Sequence, residues 1–184
     1  QNVRPTRLLE AGFRFAKPTI EDFFESTDHA AVDRLDLHRY MGTWYEIARF
    51  DHRFERGLSE VTATYTLMPD GTVRVENRGC KHKKPYDVCK TAEGRAKIPD
   101  PSQPGKLKVS FFLSFYSDYY VLELDQDEYN YALIGSSSDK YLWILSRAPI
   151  LPEEIKKKLL DAATRRGYDV KKLIWVEQRE KKIM

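Results

Sequence analysis

The sequence predicts an all-β fold, an eight-stranded up-and-down antiparallel β-barrel with a C-terminal α-helix packed outside it. Two observations support this prediction. From Gly42 onward, segments rich in β-branched and aromatic residues alternate with turn signals at short intervals. After Ala148, the apolar residues change to helical spacing. Eight consecutive antiparallel strands satisfy their edges best by closing into a barrel, and a barrel of this size can hold one small ligand.

Turn residues bound the predicted strands. Pro69-Asp70-Gly71 is a tight turn, and the stretch 99–105 carries prolines that a central strand would exclude. A serine-rich stretch at 136–139 is a further connection. The predicted strands cover residues 42–50, 59–67, 72–80, 89–98, 105–112, 119–125, 130–135 and 141–147.

The C-terminal part predicts one helix and one short strand. Pro152 followed by two glutamates favours a helix start, and Gly167 favours its end. Between them one apolar stripe repeats at helical spacing, so the helix is expected to lie against the outside of the barrel. Residues 173–176 predict a final short strand.

The composition is that of an ordinary globular protein. A chain of 184 residues predicts one domain, and its net charge of +3 is too small to indicate nucleic acid. No apolar run approaches the roughly 18 residues that cross a bilayer. The sequence begins at Gln1 without a basic and apolar leader, so no signal peptide is expected. The sequence has no nucleophile elbow, metal-ligand helix or phosphate loop, so no cofactor and no metal are expected.

Residues 1–31 form a predicted N-terminal arm, separate from a barrel domain that spans residues 32–184. Residues 19–25 predict a short helix with Thr19 as its cap. Two interpretations remain open: a tether or arm lying on the barrel, or a lid that delivers Phe23 and Phe24 to the cavity mouth.

The first predicted strand, Gly42–Phe50, organises the rest of the chain. Gly42 lets a neighbouring ring or backbone lie close, and Trp44 brings a large apolar surface with an N–H that needs a partner. If Trp44 points inward, strand alternation places Glu46, Ala48 and Phe50 on the same face.

This segment resembles the first signature of the lipocalins, in the branch that contains bacterial outer-membrane lipocalins and apolipoprotein D. In that family a single Arg after the last barrel strand packs across the Trp, and Arg147 fits that place. Gly42, Trp44 and Arg147 are therefore the structural signature. The second signature, an Asp-Tyr pair, is only loosely kept, because Asp125 and Tyr129 are separated here. The resemblance covers about residues 32–176.

The resemblance also implies which residues line a cavity. The branch has a Tyr on the second strand, an Asn on the third and a Trp on the eighth, which correspond to Tyr65, Asn77 and Trp143. Alternation adds Leu145 to this ligand-binding set, together with Ala48 and Phe50 from the first strand. An aromatic wall with a few polar anchors is typical of a small-molecule pocket.

An up-and-down topology sorts the loops into two ends. Trp44 and Arg147 would plug one end, so the loops near 51–58, 81–88, 113–118 and 136–140 surround the mouth. These loops are mildly basic, which suits a ligand with an anionic head. The candidate headgroup residues are Arg53, Lys81, Lys83 and Lys84, and the alternative is that they are ordinary solvated loop residues.

Cys80 and Cys89 lie on two predicted strands that face each other. They can form a disulfide if the strand register agrees, and such a short loop would contribute roughly 2.5–3 kcal/mol. Two free thiols are the alternative, and a metal site is not expected because further ligands are missing. A disulfide would indicate an oxidising compartment.

The resemblance implies binding, transport or storage of a small hydrophobic ligand, such as a fatty acid or lysophospholipid, in envelope lipid maintenance. It implies a periplasmic or outer-membrane-associated protein of a bacterium, with peripheral membrane association and a homodimer both left open. Two alternatives remain: a lipocalin isomerase that uses Cys80 as a reduced cavity cysteine, and a pigment or haem-type carrier. No enzymatic activity is expected from the leading interpretation.

Overall fold

The computed structural model describes residues 26–82, 86–112 and 115–179. It confirms the predicted eight-stranded barrel and adds one strand. The sheet order is β2-β3-β4-β5-β6-β7-β8-β1-β9, and β1 also pairs with β2, which closes the barrel. The strands are β1 (Gly42–Phe50), β2 (Ser59–Leu67), β3 (Val73–Lys81), β4 (Val88–Lys97), β5 (Lys106–Phe112), β6 (Phe115–Leu124), β7 (Tyr131–Gly135), β8 (Trp143–Ser146) and β9 (Leu173–Trp175).

One helix packs outside the barrel wall, and a shorter one contributes Tyr40 to the interior cluster. The short helix α1 (Leu37–Tyr40) precedes β1, α2 (Glu153–Arg165) follows β8, and a 3₁₀ turn (Val170–Lys172) leads into β9. The predicted helix is confirmed, and Gly167 follows it with a φ of +88°, a conformation that favours glycine. The strand β6 begins four residues before its predicted start, because its hairpin with β5 extends to the Phe112–Phe115 pair.

Two apolar clusters lie on opposite faces of the sheet. The cluster inside the barrel includes Trp44, Tyr65 and Leu145. The second cluster packs the outer face of the sheet against α2, through residues such as Ile144 and Leu159. The single apolar stripe of α2 is thereby buried, as the sequence predicts.

A β-bulge in β1 moves the second half of this strand onto the opposite face. The register with β8 shifts between Glu46 and Ala48. The extra residue reverses the alternation, so Ala48 and Phe50 pack in the outer cluster beside α2. The prediction that Ala48 and Phe50 line the cavity is therefore wrong. Arg49 takes the inward position, where its guanidinium contacts the Glu46 carboxyl group.

The chain after β9 fills a gap between β1 and β2. These two strands pair only from Gly42 to Tyr45 of β1. Beyond that point the Val176 N–H donates to the Ile47 carbonyl at 2.9 Å. The Gln178 side-chain amide donates to the carbonyls of both Glu46 and Val61, at 2.8 and 2.9 Å. The seam of the barrel is thus completed by a segment from the far end of the domain.

The first described residues lie along the outside of the barrel. The Val32 N–H donates to the Val121 carbonyl of β6 at 2.8 Å, and Arg166 donates from Nη1 to the Ala30 carbonyl at 2.8 Å. His29 Nδ1 is 3.0 Å from the Tyr168 hydroxyl. The predicted helix at 19–25, with Phe23 and Phe24, lies outside the described residues, so the lid and the domain boundary at residue 31 stay predictions.

Candidate ligand-binding cavity

The end of the barrel that holds Trp44 is closed by Arg147. The Arg147 guanidinium carbon lies 3.9 Å from the centre of the Trp44 ring. Arg147 also donates from Nη1 to the Thr43 carbonyl at 3.0 Å and from Nη2 to the Arg39 carbonyl at 2.8 Å. Gly42 has a φ of +93°, and a side chain there would reach within 3.3 Å of Arg147 Nη1. The stacking that the sequence predicts for this pair is present.

Three tyrosines form the floor above this plug. The Tyr119 hydroxyl is 2.7 Å from the Tyr40 hydroxyl and 3.0 Å from the Tyr65 hydroxyl. The Trp44 indole donates to the Tyr40 carbonyl at 2.9 Å. Burial raises the pKa of each of these three tyrosines above its usual value, so their hydroxyls stay neutral. Tyr65 therefore offers a ring and a hydrogen-bonded hydroxyl at the bottom of the barrel.

A polar cluster lies beneath the loop that joins β1 to β2. Trp143 donates from Nε1 to Glu55 Oε2 at 3.1 Å, and His52 Nε2 lies 2.7 Å from the same oxygen. Arg49 donates from Nη1 to Glu46 Oε1 at 2.6 Å and from Nη2 to the Glu55 carbonyl at 2.7 Å. These contacts hold the loop 51–58 against the interior, with Trp143 under it.

The two acids of this cluster differ in charge. Burial raises the pKa of Glu46 to about 8, with a further rise from the Glu55 charge that Arg49 only partly offsets. Burial alone would also raise the pKa of Glu55, but the hydrogen bonds from His52 and Trp143 hold it below its usual value. At neutral pH the Glu55 carboxylate therefore balances the Arg49 charge, while Glu46 keeps its proton.

The inner face of β4 is partly open to solvent. Val75 of β3 and Ala96 of β4 belong to the interior cluster. The pairing of the two strands is regular, with Asn77 opposite Ala92, so alternation places both of these residues inward as well. Ala92 is nevertheless exposed, whereas the Oδ1 of the half-buried Asn77 is enclosed and has no hydrogen-bond partner among the described residues. Solvent thus reaches the inner face of β4 at Ala92.

The remaining predicted residues are found at different depths. Leu145 lies in the interior cluster, and Trp143 packs against it. At the rim, Lys81 is exposed, and the Arg53 guanidinium carbon lies 4.6 Å from the centre of the exposed Phe54 ring. Lys83 and Lys84 lie outside the described residues.

The sequence analysis missed the inward position of Arg49 and the roles of His52 and Glu55. One signal was available for Arg49, because a charged residue enclosed between Ala48 and Phe50 is unusual in an apolar strand. A loop such as 51–58 has no periodicity that would indicate which of its side chains turn inward.

The predicted disulfide is confirmed. Cys80 and Cys89 are directly opposite each other on β3 and β4 and are bonded, with their Cα atoms 4.0 Å apart. Alternation from the inward Asn77 places Cys80 on the outer face of the sheet. The isomerase alternative required a reduced, inward Cys80, and the structure contradicts both requirements.

Two surface features lie away from the cavity. Within the described part of the chain, Glu60, His82 and Asp87 bring metal-ligand atoms within 4.8 Å of one another. The Arg179 guanidinium contacts all three residues and supplies the cation there. A cleft of about 100 Å³ lies on the outer wall, lined by Pro99, Asp100, Gln103, Lys106, Leu107, Lys108 and Tyr120.

A closed antiparallel barrel with one plugged end and a solvent-accessible inner wall is the architecture of a protein that encloses a small ligand. Residues 35–178 match the model of the lipocalin-like domain. This match covers most of the chain, and the protein belongs to the lipocalin-like family.

Curated relatives agree with this assignment. The outer membrane lipoprotein Blc of Escherichia coli K12 is 50% identical over 147 residues, which cover 80% of this chain and 81% of the relative. The temperature-induced lipocalin-1 of Arabidopsis thaliana is 42% identical over 158 residues, which cover 81% of this chain and 82% of the relative. Apolipoprotein D of Mus musculus is 34% identical over 154 residues, which cover 79% of this chain and 78% of the relative.

Solved structures show the same fold. Insecticyanin from the tobacco hornworm Manduca sexta superposes with a TM-score of 0.68 at 24% identity, covering 84% of this chain and 87% of that one. Lobster apocrustacyanin A1 superposes with a TM-score of 0.60 at 18% identity, covering 84% and 91%. In the described residues, no helix is long and apolar enough to cross a membrane.

Proposed function

We propose that this protein binds and carries one single-chain lipid, such as a fatty acid or lysophospholipid, in its barrel at the bacterial envelope. The observation that carries the proposal is the solvent-accessible inner face of β4, where the inward Ala92 is exposed. Membership of the lipocalin-like family implies a small hydrophobic ligand. The relatives named as outer membrane lipoproteins support the envelope setting.

The distribution of polarity supports a fixed orientation of the ligand. The floor is built from Trp44 and three tyrosines. The Tyr119 hydroxyl is within hydrogen-bond distance of the other two hydroxyls, and the Trp44 indole donates to a backbone carbonyl. The polar side chains of Arg49, His52 and Glu55 lie at the mouth end. A lipid would therefore place its apolar chain toward the floor and its head toward the mouth, where water remains available.

A binding protein fits the residues better than an enzyme does. The disulfide consumes the thiol on which the isomerase alternative depends. The relatives described above are named as lipoproteins and lipocalins. Peripheral membrane association and a homodimer remain predictions that belong to the same proposal.

Native mass spectrometry of the purified protein, followed by lipid extraction, tests the proposal. A co-purified fatty acid or lysophospholipid is the expected result, and Trp143→Ala should lose it. Trp175→Ala is the matched control, because Trp175 is 45% exposed on β9, where Lys156 covers its ring outside the barrel.

Three results would count against the proposal. An empty protein that also refuses a panel of single-chain lipids would contradict it. Equal lipid loss in Trp143→Ala and Trp175→Ala would place the lipid outside the barrel. A bound chromophore that absorbs visible light would favour the pigment or haem-type carrier instead.

A further inference from the structure

We infer that Lys81 and Lys90 form a clamp at the inner lip of the mouth and bind the anionic head of a single-chain amphiphile. The chain of that amphiphile would enter the barrel below them. This inference rests on the proposed function and adds the chemistry of the ligand head and the two residues that recognise it.

Strand register places both lysines on the inner face. The pairing of β3 with β4 is continuous from Val73 opposite Ala96 to Lys81 opposite Val88, without a bulge. Val73 and Ala96 pack in the interior cluster, so every second residue from them also points inward. This count reaches Lys81 on β3 and Lys90 on β4.

The two lysines are diagonal neighbours across the strand pair. Lys90 lies opposite Gly79, two residues from the position opposite Lys81. Diagonal neighbours are about 7–8 Å apart, close enough for two long side chains to reach one group. The Cys80–Cys89 disulfide fixes the register one residue before each lysine. The covalent bond therefore holds the two lysines at a constant spacing.

Neither lysine is neutralised by a described residue. Both are exposed, and no ion pair joins either of them to an acid. Two acids of the mouth loops are paired with other residues, because Asp87 contacts Arg179 and His82, and Asp118 contacts Lys108. Two like charges side by side repel, and a bound anion between them would remove this repulsion.

A route leads from this lip into the barrel. Below Lys90, the inward residues of β4 are Ala92, which is exposed, and Gly94. The Phe111 ring lies against Gly94, where any Cβ would come within 2.7 Å of it. Asn77 lies opposite Ala92, and its Oδ1, which has no hydrogen-bond partner among the described residues, is an acceptor partway down. The clamp therefore lies directly above the exposed part of the inner face, and the Phe111 ring lies further down.

The other inward cation does not serve the same purpose. Arg49 is buried, donates to Glu46 and to the Glu55 carbonyl, and is balanced by the Glu55 charge. An anionic head beside it would meet two carboxyl groups. The free positive charge of the inner lip is thus carried by the two lysines on the opposite wall.

Binding of oleate and oleyl alcohol to the full chain tests the clamp, because these ligands share one chain and differ only in charge. Lys90→Glu should weaken oleate binding about tenfold and leave oleyl alcohol unchanged, with a smaller effect at high salt. Lys90→Arg should keep oleate affinity. Arg78→Glu is the matched control, because Arg78 is exposed on the outer face of the same strand pair, opposite Thr91.

Equal weakening of both ligands, or an equal effect of Arg78→Glu on oleate, would overturn the clamp while leaving the lipid carrier intact. Unchanged oleate binding in both Lys90→Glu and Lys81→Glu would overturn it as well. Failure of the wild-type protein to bind either ligand would overturn the proposed function, and the clamp with it. Circular dichroism of each variant establishes that the barrel is folded.

Discussion

Arg49 and Glu46 meet inside the barrel with a hydrogen bond of 2.6 Å, although they are three residues apart on one β-strand. Regular alternation would put them on opposite faces. The bulge between Glu46 and Ala48 brings them to the same face and sends Phe50 to the outer cluster. One inserted residue thus creates the buried charge cluster beneath the mouth loop.

The raised pKa of Glu46 predicts a specific dependence of stability on pH. The folded protein keeps the Glu46 proton up to about pH 8, whereas the unfolded chain releases it near the ordinary value of 4.5. This contribution to the free energy of unfolding is complete below about pH 4.5 and is lost as pH rises to 8. Between pH 5 and 8, wild type should lose at least about 1.4 kcal/mol more than Glu46→Gln, as measured by urea unfolding. Glu93→Gln, an exposed change, should behave as wild type, and a Glu46→Gln curve parallel to wild type would contradict the prediction.

Arg147→Ala should destabilise the barrel by about 2–4 kcal/mol. The change removes the stacking on Trp44 and leaves the carbonyls of Thr43 and Arg39 without their donor. Arg147→Lys should recover only part of the loss, since an ammonium lacks the planar fork. Urea unfolding measures both variants. The control Arg74→Ala breaks an exposed ion pair with Glu93 and should lower the free energy of unfolding by less than about 1 kcal/mol. An equally small decrease for Arg147→Ala would refute the role of the plug.

Removal of the disulfide should lower the free energy of unfolding by about 2.5–3 kcal/mol. The bond joins Cys80 and Cys89, which are nine positions apart in the sequence. Its loss restores the conformational freedom of the unfolded chain. The double variant Cys80→Ser/Cys89→Ser, compared with wild type in urea, provides the measurement. Reductant should destabilise wild type by a similar amount and leave the variant unchanged. A reductant effect on the variant would show that another process is being measured.

The fold was predictable because it depends on repeated local signals. Eight strands, their turns and the amphipathic helix each carry a periodicity that a sequence displays directly. The closed end was predictable for a different reason, because Gly42, Trp44 and Arg147 form a compact signature. The disulfide followed from two cysteines on strands that face each other.

The site was less predictable because it depends on one irregularity and on register. A single bulge residue does not interrupt the run of strand-forming residues, and its one sign is the charged Arg49 between Ala48 and Phe50, so these two residues were assigned to the wrong face. The inward position of Lys90 requires the pairing of β3 with β4, although counting from the cysteine pair would have supplied it. The contacts of Glu55 with Trp143 depend on how a loop folds, which no local pattern encodes.

The amide of Gln178 has a consequence for the order of events in synthesis. It occupies two backbone carbonyls, one on β1 and one on β2, that the strands do not satisfy between themselves. A chain that is made or exported from its N-terminal side delivers residues 46 and 61 long before residue 178. Throughout that interval the barrel has an unsealed side, and its final closure must await the arrival of the last stretch of the domain.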